Sequence, residues 1–365
     1  MRPTTETELR EVILAAQGPL VVQGGGTRTI GRCGGDVLHT DAISDVVMYE
    51  PGALTLVVQA GTPLAEIDAV LADERQRLAF DPPDLRGLLG RDGISTIGGV
   101  VAANASGPRR VQGGACRDAL LGVRFVDGAG NVIKNGGRVM KNVTGYDLVK
   151  LMAGSYSTLG VISEVSFKVQ ALPEAEITLT AARDTVAGLR DLRGALGSPY
   201  DISGAACADG RAMIRVEGMA GSVAYRAAAL AAALGGDWMQ TEGATSAALW
   251  RGIRDVTGFA GRVGAVWRVS AKPSEAARIT ADMGAGVDAI YDWGGGLIWL
   301  LVPDGGSETV RRAVGNLGHA TLVRAIAGME SVPAFPPELP GVAALSAALR
   351  AKFDPRGILN QGLMG

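Results

Sequence analysis

Residues 93–107 read GISTIGGVVAANASG, fifteen consecutive positions without a charged or aromatic side chain. Gly98 and Gly99 have no Cβ atom, so a ligand can approach their backbone closely. Ser95 and Thr96 offer hydroxyl groups just before a predicted short helix, whose N-terminal amides favour an anion. Tight helix packing is the alternative interpretation, but packing does not require so long a run of small residues. We therefore predict a ligand-binding loop with room for a flat ring.

Two further glycine-rich segments accompany this loop. Residues 24–28 read GGGTR after a predicted strand at 20–23, so consecutive amides can turn toward one point, as a pyrophosphate requires. The segment lacks both the helix that follows a dinucleotide-binding fingerprint and the lysine of a P-loop. Residues 154–162 read GSYSTLGVI, a glycine turn that leads into a strand. A structural turn is the alternative for residues 24–28 alone, whereas the loops together predict a large flat ligand with a diphosphate.

The composition excludes several classes of protein. Of the 365 residues, 47% are hydrophobic and 20% are charged, which is typical of a globular protein. A net charge of −2 without a basic block argues against a nucleic-acid partner. The apolar stretches are too short for a membrane span, and the charged N-terminal segment lacks the apolar core of a signal peptide. The three cysteines are isolated, so no iron–sulfur cluster or structural zinc is expected, and a reducing cytoplasm is predicted.

Beyond about residue 170, strand-like and helical runs alternate, which predicts an α+β unit with a mostly antiparallel sheet. The predicted strands are 176–180, 211–216, 264–269 and 296–302, and the predicted helices are 184–196, 222–234, 273–281 and 306–316. Four prolines within residues 331–341 predict a linker before a last helix. We expect a first domain over 1–170, a second over 171–335, and a C-terminal segment over 336–365 that returns to the first.

The order of the motifs carries a resemblance to a known family. GGGTR at 24–28, STIGGVVAANASG at 95–107, LMAGSYSTLGVISEVSF at 151–167 and FDPRGILNQG at 353–362 together resemble the FAD-binding proteins of the vanillyl-alcohol oxidase or PCMH type. The resemblance implies an α+β fold, in which a PCMH-type FAD-binding domain of two α+β subdomains precedes an α+β cap domain with a mostly antiparallel sheet. It also implies FAD as the cofactor. The implied cofactor-binding residues are Gly24, Gly25, Gly26, Thr27, Pro82, Pro83, Ser95, Thr96, Gly98, Gly99, Asn104, Ser106, Gly107, Gly160 and Ile162.

The middle of the chain narrows this resemblance to the FAD-binding subunits of bacterial glycolate oxidases. The matching segments are WRVS at 267–270, DWGGG at 292–296, GHATLVR at 318–324 and VMKNVTGYDL at 139–148. The resemblance implies an FAD-dependent oxidoreductase that oxidises glycolate to glyoxylate together with a larger FAD-containing subunit and an iron–sulfur subunit. It implies a cytoplasmic location, with the inner face of the cell membrane reached only through the complex. Arg138 and Lys141 are expected to place positive charge near the flavin, with a solvated hairpin as the alternative.

The scarcity of histidine limits the chemistry that is expected. Many members of the superfamily attach FAD covalently through a histidine in the first glycine loop, but here that loop carries Thr27 and Arg28. The only histidines are His39 and His319, so the FAD is expected to be bound non-covalently. The larger glycolate oxidase subunits carry a His-x-His pair that binds a metal and the substrate. No such pair occurs in this chain, and no metal is expected.

Four side chains of the expected cap are candidate catalytic residues: Arg268, Trp293, His319 and Arg324. Arginine suits bidentate binding of a carboxylate, Trp293 can cover a flavin face, and His319 is the obvious imidazole base for a hydroxyl proton. Each candidate has a structural alternative. The arginines can form ion pairs or subunit contacts, Trp293 can belong to the cap core, and His319 can be a strand-edge residue with a satisfied ring nitrogen.

Three functions compete at this point. The first is an electron-transferring FAD subunit of a glycolate oxidase complex, and the second is a self-sufficient dehydrogenase for a small 2-hydroxy acid such as D-lactate. The third is an NADPH-dependent enolpyruvyl-sugar reductase of the same superfamily. The third is the weakest, because the WRVS, DWGGG and GHATLVR segments match the glycolate oxidase subunits instead.

Overall fold

The computed structural model describes residues 1–137 and 145–364, and the elements are numbered within them in chain order. Strands β1–β16 are Leu20–Gln23, Asp36–His39, Val46–Glu50, Thr55–Gln59, Gln76–Leu78, Leu120–Val126, Val132–Gly136, Val161–Ala171, Ala175–Ala182, Ile202–Ala208, Arg211–Gly218, Met239–Glu242, Ala265–Ala271, Asp288–Asp292, Leu297–Val302 and Gly318–Arg324. Helices α1–α13 are Glu6–Ala15, Leu64–Asp73, Arg86–Leu89, Ile97–Ala102, Arg110–Gly113, Cys116–Ala119, Leu148–Met152, Thr185–Leu196, Ala220–Leu234, Gly243–Arg254, Ala276–Ala281, Ser307–Val314 and Pro340–Phe353. The predicted α+β class is confirmed.

The N-terminal part contains two sheets. In the smaller one, β1 pairs in parallel with β2, and a bridge between Leu20 and Leu359 adds the C-terminal tail to its edge. The larger one has the strand order β3-β4-β8-β6-β7, with β5 also paired to β8, and all of its pairs are antiparallel. Its core packs Phe125 and Phe167 of the sheet with Val100 of α4, so the short helix that follows Thr96 is anchored in this core.

The C-terminal half forms an eight-stranded antiparallel sheet in the order β12-β9-β11-β10-β14-β15-β13-β16. We call this sheet and the helices packed on it the cap. Side chains alternate between the two faces of a strand, and both faces are covered. On one face, Trp267 of β13 packs with Val310 of α12. On the other face, Val266 and Trp299 pack with Leu88 of the N-terminal part, so this inner face is turned toward the glycine loops.

A buried ion-pair cluster joins the cap to the N-terminal part. Arg77 Nη1 lies 2.9 Å from Glu217 Oε1, and Arg109 Nη1 lies 2.5 Å from Glu217 Oε2. Arg215 Nε approaches the same carboxylate at 3.6 Å. Burial raises the pKa of Glu217, but the charges of Arg215, Arg109 and Arg77 outweigh it and hold that pKa well below its usual range. The carboxylate is therefore ionised, and it fixes the cap against β5 and the segment before α5.

Candidate functional site

Three glycine-rich segments meet at one cleft of about 370 Å³, which we call the glycine-loop cleft. Its lining includes Gln23, Gly24, Gly25, Gly26, Thr27, Arg28, Cys33, Thr40, Thr96, Gly98, Gly99, Ala102, Ala103, Tyr156, Ser157, Val161, Ile162, Asn360 and Leu363. Eight of the predicted cofactor-binding residues are among these positions. Segments far apart in the sequence are thus brought together at the edge of the two N-terminal sheets.

Backbone contacts hold the first two loops together. A Cβ atom on Gly25 would lie 1.5 Å from the carbonyl oxygen of Ile94, and one on Gly93 would lie 1.8 Å from the oxygen of Gly25. Both positions therefore require glycine for packing between loops. Packing of the two loops therefore accounts for glycine at position 25. The neighbouring Gly24 and Gly26 are among the residues that line the cleft.

The two glycines at the start of α4 have different surroundings. A Cβ atom on Gly98 would lie 2.7 Å from the Cβ and 2.8 Å from the carbonyl oxygen of Ala60, at the end of β4. The nearest atom to a Cβ on Gly99 would be Thr96 Oγ1, at 3.6 Å. Gly98 is thus required by the close approach of α4 to the sheet. Gly99 faces open space in the cleft, where a side chain would occupy ligand volume.

The turn after α7 and the C-terminal tail complete the cleft. The backbone amides of Gly154 and Tyr156 donate to the carbonyl oxygens of Val101 and Ala102, at 3.0 and 2.9 Å, and so attach the turn to the end of α4. Asn360 of the tail donates through Nδ2 to the carbonyl oxygen of Tyr156 at 2.7 Å. The tail motif thus contributes a residue to the same site.

Unpaired donors at the cleft fit a ligand rich in acceptors. Arg28 donates through Nη2 to the carbonyl oxygen of Pro83 at 2.5 Å and to Ser95 Oγ at 2.8 Å. Its Nε and Nη1, like Ser155 Oγ, are buried without a partner among the described residues. Burial lowers the pKa of Arg28 to about 10, which still leaves the side chain charged at neutral pH. Phosphate oxygens and ring carbonyls of FAD are acceptors of the kind that such donors require.

The remaining predicted cofactor-binding residues are not among those that line the cleft. Pro82 lines a separate polar cavity between the cap and the N-terminal part. Asn104 Oδ1 accepts from the amide of Arg117, and Ser106 Oγ accepts from the amide of Cys116, so both residues fix the loop to α6. A Cβ atom on Gly160 would lie 2.5 Å from the ring of Phe125. A Cβ atom on Gly107 would lie 2.2 Å from the carbonyl oxygen of Asp81.

Two of the four cap candidates lie together where the cap meets the loop at 93–107. Trp293 Nε1 donates to the carbonyl oxygen of Gly107 at 3.0 Å. The guanidinium carbons of Arg110 and Arg268 lie 4.5 and 5.4 Å from the ring centroid of Trp293. Tyr156, which lines the cleft, packs in the same cluster as Trp293. This Arg110–Trp293–Arg268 cluster therefore lies beside the glycine-loop cleft.

The other two cap candidates have different surroundings. Arg324 donates to four backbone carbonyl oxygens, those of Leu88, Phe259, Arg262 and Gly264. These contacts are structural, but they are hydrogen bonds to backbone carbonyl oxygens rather than the ion pair or subunit contact named as the alternative. His319 is exposed on β16, opposite Ser270. Partial burial of the imidazole, together with the charge of Arg268, lowers the pKa of His319.

Sequence reasoning missed two residues beside these candidates. Arg110 gave no signal in the sequence, because its partner Trp293 lies far along the chain. Asp292 is buried, and its Oδ1 accepts from the amide of Trp293 at 2.7 Å. Burial raises the pKa of Asp292 to about 7, although the Trp293 amide and the charge of Arg215 act in the opposite direction. In the sequence, the DWGGG motif at 292–296 was the feature that pointed to Asp292.

Three other predictions concern positive charge near the flavin, a metal site and a membrane span. Arg138 and Lys141 lie outside the described residues. Within the described parts of the chain, no group of three or more His, Cys, Asp or Glu side chains is arranged to hold a metal ion. Among the same residues, no helix combines the length and the apolar character that crossing a membrane requires.

Comparison with known proteins identifies the family. Residues 1–136 match a family model described as an FAD binding domain. Over 356 residues, the chain is 35% identical to glycolate oxidase subunit GlcE of Escherichia coli (strain K12), a match that covers 95% of this chain and 92% of that protein. The chain belongs to the GlcE family. The resemblance inferred from the glycine loops and the cap segments is therefore confirmed.

Other relatives of this GlcE-family chain match part of its sequence or share its fold. Glycolate oxidase subunit GlcD of Bacillus subtilis (strain 168) is 36% identical over 172 residues, which are 46% of this chain and 35% of that protein. A solved structure of alkyldihydroxyacetonephosphate synthase superposes on 99% of this chain and 76% of its own, with a TM-score of 0.71 at 14% identity. This likeness concerns the fold alone. Together, the family model and the relatives establish FAD as the cofactor and the chain as an FAD-dependent oxidoreductase.

Proposed function

We propose that this chain is the FAD-binding subunit of a glycolate oxidase complex, which oxidises glycolate to glyoxylate with a larger FAD-containing subunit and an iron–sulfur subunit. The observation that carries the proposal is the similarity to GlcE along 95% of the chain, since it includes the cap as well as the FAD-binding part. The match to GlcD covers only 46% of this chain, so the extent of the match favours GlcE.

In this proposal, the glycine-loop cleft binds FAD non-covalently, with residues 1–170 as the FAD-binding domain, 171–335 as the cap domain and 336–365 as the returning segment. FAD supplies the capacity to accept two electrons, which oxidation of a hydroxy acid requires. The chain's own residues provide the binding site. Gly99 leaves room for the cofactor, and Arg28 supplies unpaired donors. The hydrogen bond from Trp293 to Gly107 keeps the cap closed against the cofactor loop.

An exposed apolar helix supports the assignment to a complex. None of the fourteen residues of α13 is buried. Leu339, just before the helix, and Val342 and Leu345 within it are 75%, 49% and 69% exposed. Contiguous exposed apolar surface of this kind is typical of an interaction site. We propose that α13 contacts a partner subunit of the complex.

A second candidate is a self-sufficient dehydrogenase for a small hydroxy acid such as D-lactate. The Arg110–Trp293–Arg268 cluster favours it, because the cluster offers positive charge for a carboxylate beside the cofactor cleft. Against it, His39 and His319 lie outside the residues that line the cleft, so no imidazole is placed there to take the hydroxyl proton.

Reconstitution tests the proposal. The tagged chain is co-expressed with the larger FAD subunit and the iron–sulfur subunit, and glycolate-dependent dye reduction is measured with all three and with each one omitted. We expect the three chains to co-purify and activity to require all of them. Leu345→Asp should reduce co-purification, whereas Val263→Asp, at a site that is 86% exposed, should not. Full activity of the other two subunits without this chain would overturn the proposal.

A further inference from the structure

One side chain of the C-terminal tail joins two of the glycine-rich segments. The amide of Val22, just before the first segment, donates to Asn360 Oδ1 at 2.8 Å. Asn360 Nδ2 donates in turn to the carbonyl oxygen of Tyr156, in the third segment, at 2.7 Å. Val22, Tyr156 and Asn360 all line the glycine-loop cleft. A single carboxamide therefore holds two walls of the cofactor cleft at a fixed separation.

The conformation and the chemistry of this position both select asparagine. Asn360 adopts φ +44°, a left-handed conformation that asparagine tolerates better than most residues other than glycine. Its side chain must also present an acceptor to the Val22 amide and a donor to the Tyr156 carbonyl oxygen. A carboxylate has no donor, and a reversed carboxamide would place donor against donor and acceptor against acceptor. The two hydrogen bonds therefore fix the orientation of this side chain.

Other contacts dock the tail without this side chain. The amide of Leu20 donates to the carbonyl oxygen of Ile358 at 2.6 Å, and the amide of Asn360 donates to that of Leu20 at 3.0 Å. Leu20, Ile358 and Leu359 also share a buried apolar cluster with Val161. Apolar packing is non-directional, so it brings the segments together without fixing how they are aligned. Removal of the Asn360 side chain therefore tests the bridge while the tail stays docked.

The turn that receives the Asn360 hydrogen bond is strained. Tyr156 and Ser157 adopt φ +49° and +57°, and such left-handed backbone is costly for residues other than glycine and persists only where its surroundings hold it. The Tyr156 amide donates to the carbonyl oxygen of Ala102, and its ring packs edge-on against Phe335 with the centroids 5.0 Å apart. Asn360 adds the bond to the Tyr156 carbonyl oxygen. Loss of that bond should let the turn relax and move Tyr156 out of the cleft wall.

We propose that Asn360 is a positioning residue for FAD, which keeps the first and third glycine-rich segments in the arrangement that binds the cofactor. It acts through Val22 and Tyr156, so it does not need to touch FAD itself. With the bridge in place, the apo-protein already holds the binding arrangement. Without the bridge, only a fraction of the molecules holds it, and the apparent affinity for FAD falls in proportion to that fraction. The proposal rests on FAD as the cofactor and is independent of glycolate oxidation.

Titration of the apo-proteins with FAD, followed by flavin fluorescence, tests the bridge. Asn360→Gly removes both side-chain hydrogen bonds, and glycine adopts a φ of +44° without strain. We expect the dissociation constant for FAD to rise about tenfold or more, as it does when the binding arrangement is held for about a tenth of the time or less.

The matched control is Gln76→Ala, which removes another buried carboxamide of the N-terminal part. Gln76 Oε1 accepts from the hydroxyl of Tyr49 at 3.0 Å, and its Nε2 donates to the carbonyl oxygen of Pro51 at 2.9 Å. Gln76 is not among the residues that line the cleft. This variant should therefore lose stability but bind FAD like the wild type.

Hydrogen exchange of the apo-proteins locates the effect. In Asn360→Gly, the amides of residues 154–160 should exchange faster than in the wild type, and saturating FAD should slow them again. Asn360→Asp keeps an acceptor for Val22 but has no donor for Tyr156, so the same amides should exchange faster in this variant even if Asn360→Gly does not fold. Wild-type FAD affinity in Asn360→Gly, an equal loss of affinity in Gln76→Ala, or wild-type exchange at 154–160 in Asn360→Asp would overturn the proposal. None of these readouts involves glycolate, so failure of the proposed function would leave them unchanged.

Discussion

The adjacent glycines at the start of α4 allow binding to be separated from folding. At Gly98, an added methyl group meets the backbone of Ala60 at 2.8 Å, so Gly98→Ala should force α4 away from β4. Overpacking of this kind costs about 1–3 kcal/mol of unfolding free energy. At Gly99, the nearest atom is 3.6 Å away and φ is not left-handed. Gly99→Ala should therefore leave the apo-protein as stable as the wild type, or more stable by about 0.5–1 kcal/mol.

Gly99→Ala should weaken FAD binding, although it should not destabilise the apo-protein. The methyl group of Gly99→Ala enters the cleft, and each close polar contact that is lost costs about 1–3 kcal/mol. We expect FAD affinity to fall roughly 5- to 150-fold, and Gly99→Val to purify largely without flavin. Urea unfolding of the apo-proteins and fluorescence titration with FAD measure the two effects. If Gly99→Val purifies with full FAD, or if Gly99→Ala loses as much stability as Gly98→Ala, the assignment of this helix start to the cofactor is refuted.

Three further predictions concern two buried carboxyl groups and the attachment of FAD. Glu217→Gln leaves several buried arginines without their anion and should cost about 3–5 kcal/mol of unfolding free energy. The pKa of Glu217 is depressed in the folded state, so the contribution of its carboxylate to stability is present above the ordinary pKa of 4.5 and is lost as the pH falls below that value. Urea unfolding between pH 6 and 3 should show this loss in the wild type but not in the variant. The pKa of Asp292 is shifted in the opposite direction. The unfolded chain releases the carboxyl proton near pH 3.8, whereas the folded chain holds it to about pH 7, so the free energy of unfolding falls as the pH rises through this window. Asp292→Asn should remove this fall. Acid precipitation should release all of the FAD. Cys33 lines the cleft, but Cys33→Ser should leave this release unchanged. Flavin fluorescence that stays on the denatured wild-type band and is abolished by Cys33→Ser would reveal a covalent bond instead.

Local sequence patterns predicted the N-terminal architecture well. Strand β1 and the short helix after Thr96 are both present. The three glycine segments also meet at one cleft, as their composition suggested. Glycine runs predict such sites because only backbone without side chains allows loops and ligand to approach so closely.

The cap was predicted less completely, for a physical reason. Strands β10, β12, β14 and β16 were missed, although the four predicted strands are present. The sheet is covered on both faces, so nearly every residue of β10 is buried and the alternation that marks a half-exposed strand is absent. The different roles of Gly98 and Gly99, and the contact of Arg110 with Trp293, depend on partners distant in the sequence. No local pattern contains that information.

Under the proposed function, this chain carries an FAD that takes part in glycolate oxidation within a complex. The most direct test is the absorbance of its flavin after anaerobic mixing with glycolate, first for the isolated chain and then for the chain assembled with its partners. We predict that the flavin of the isolated chain bleaches slowly or not at all, and that it bleaches within the turnover time of the complex after assembly. Rapid bleaching of the isolated chain would contradict this account and would establish a self-sufficient dehydrogenase.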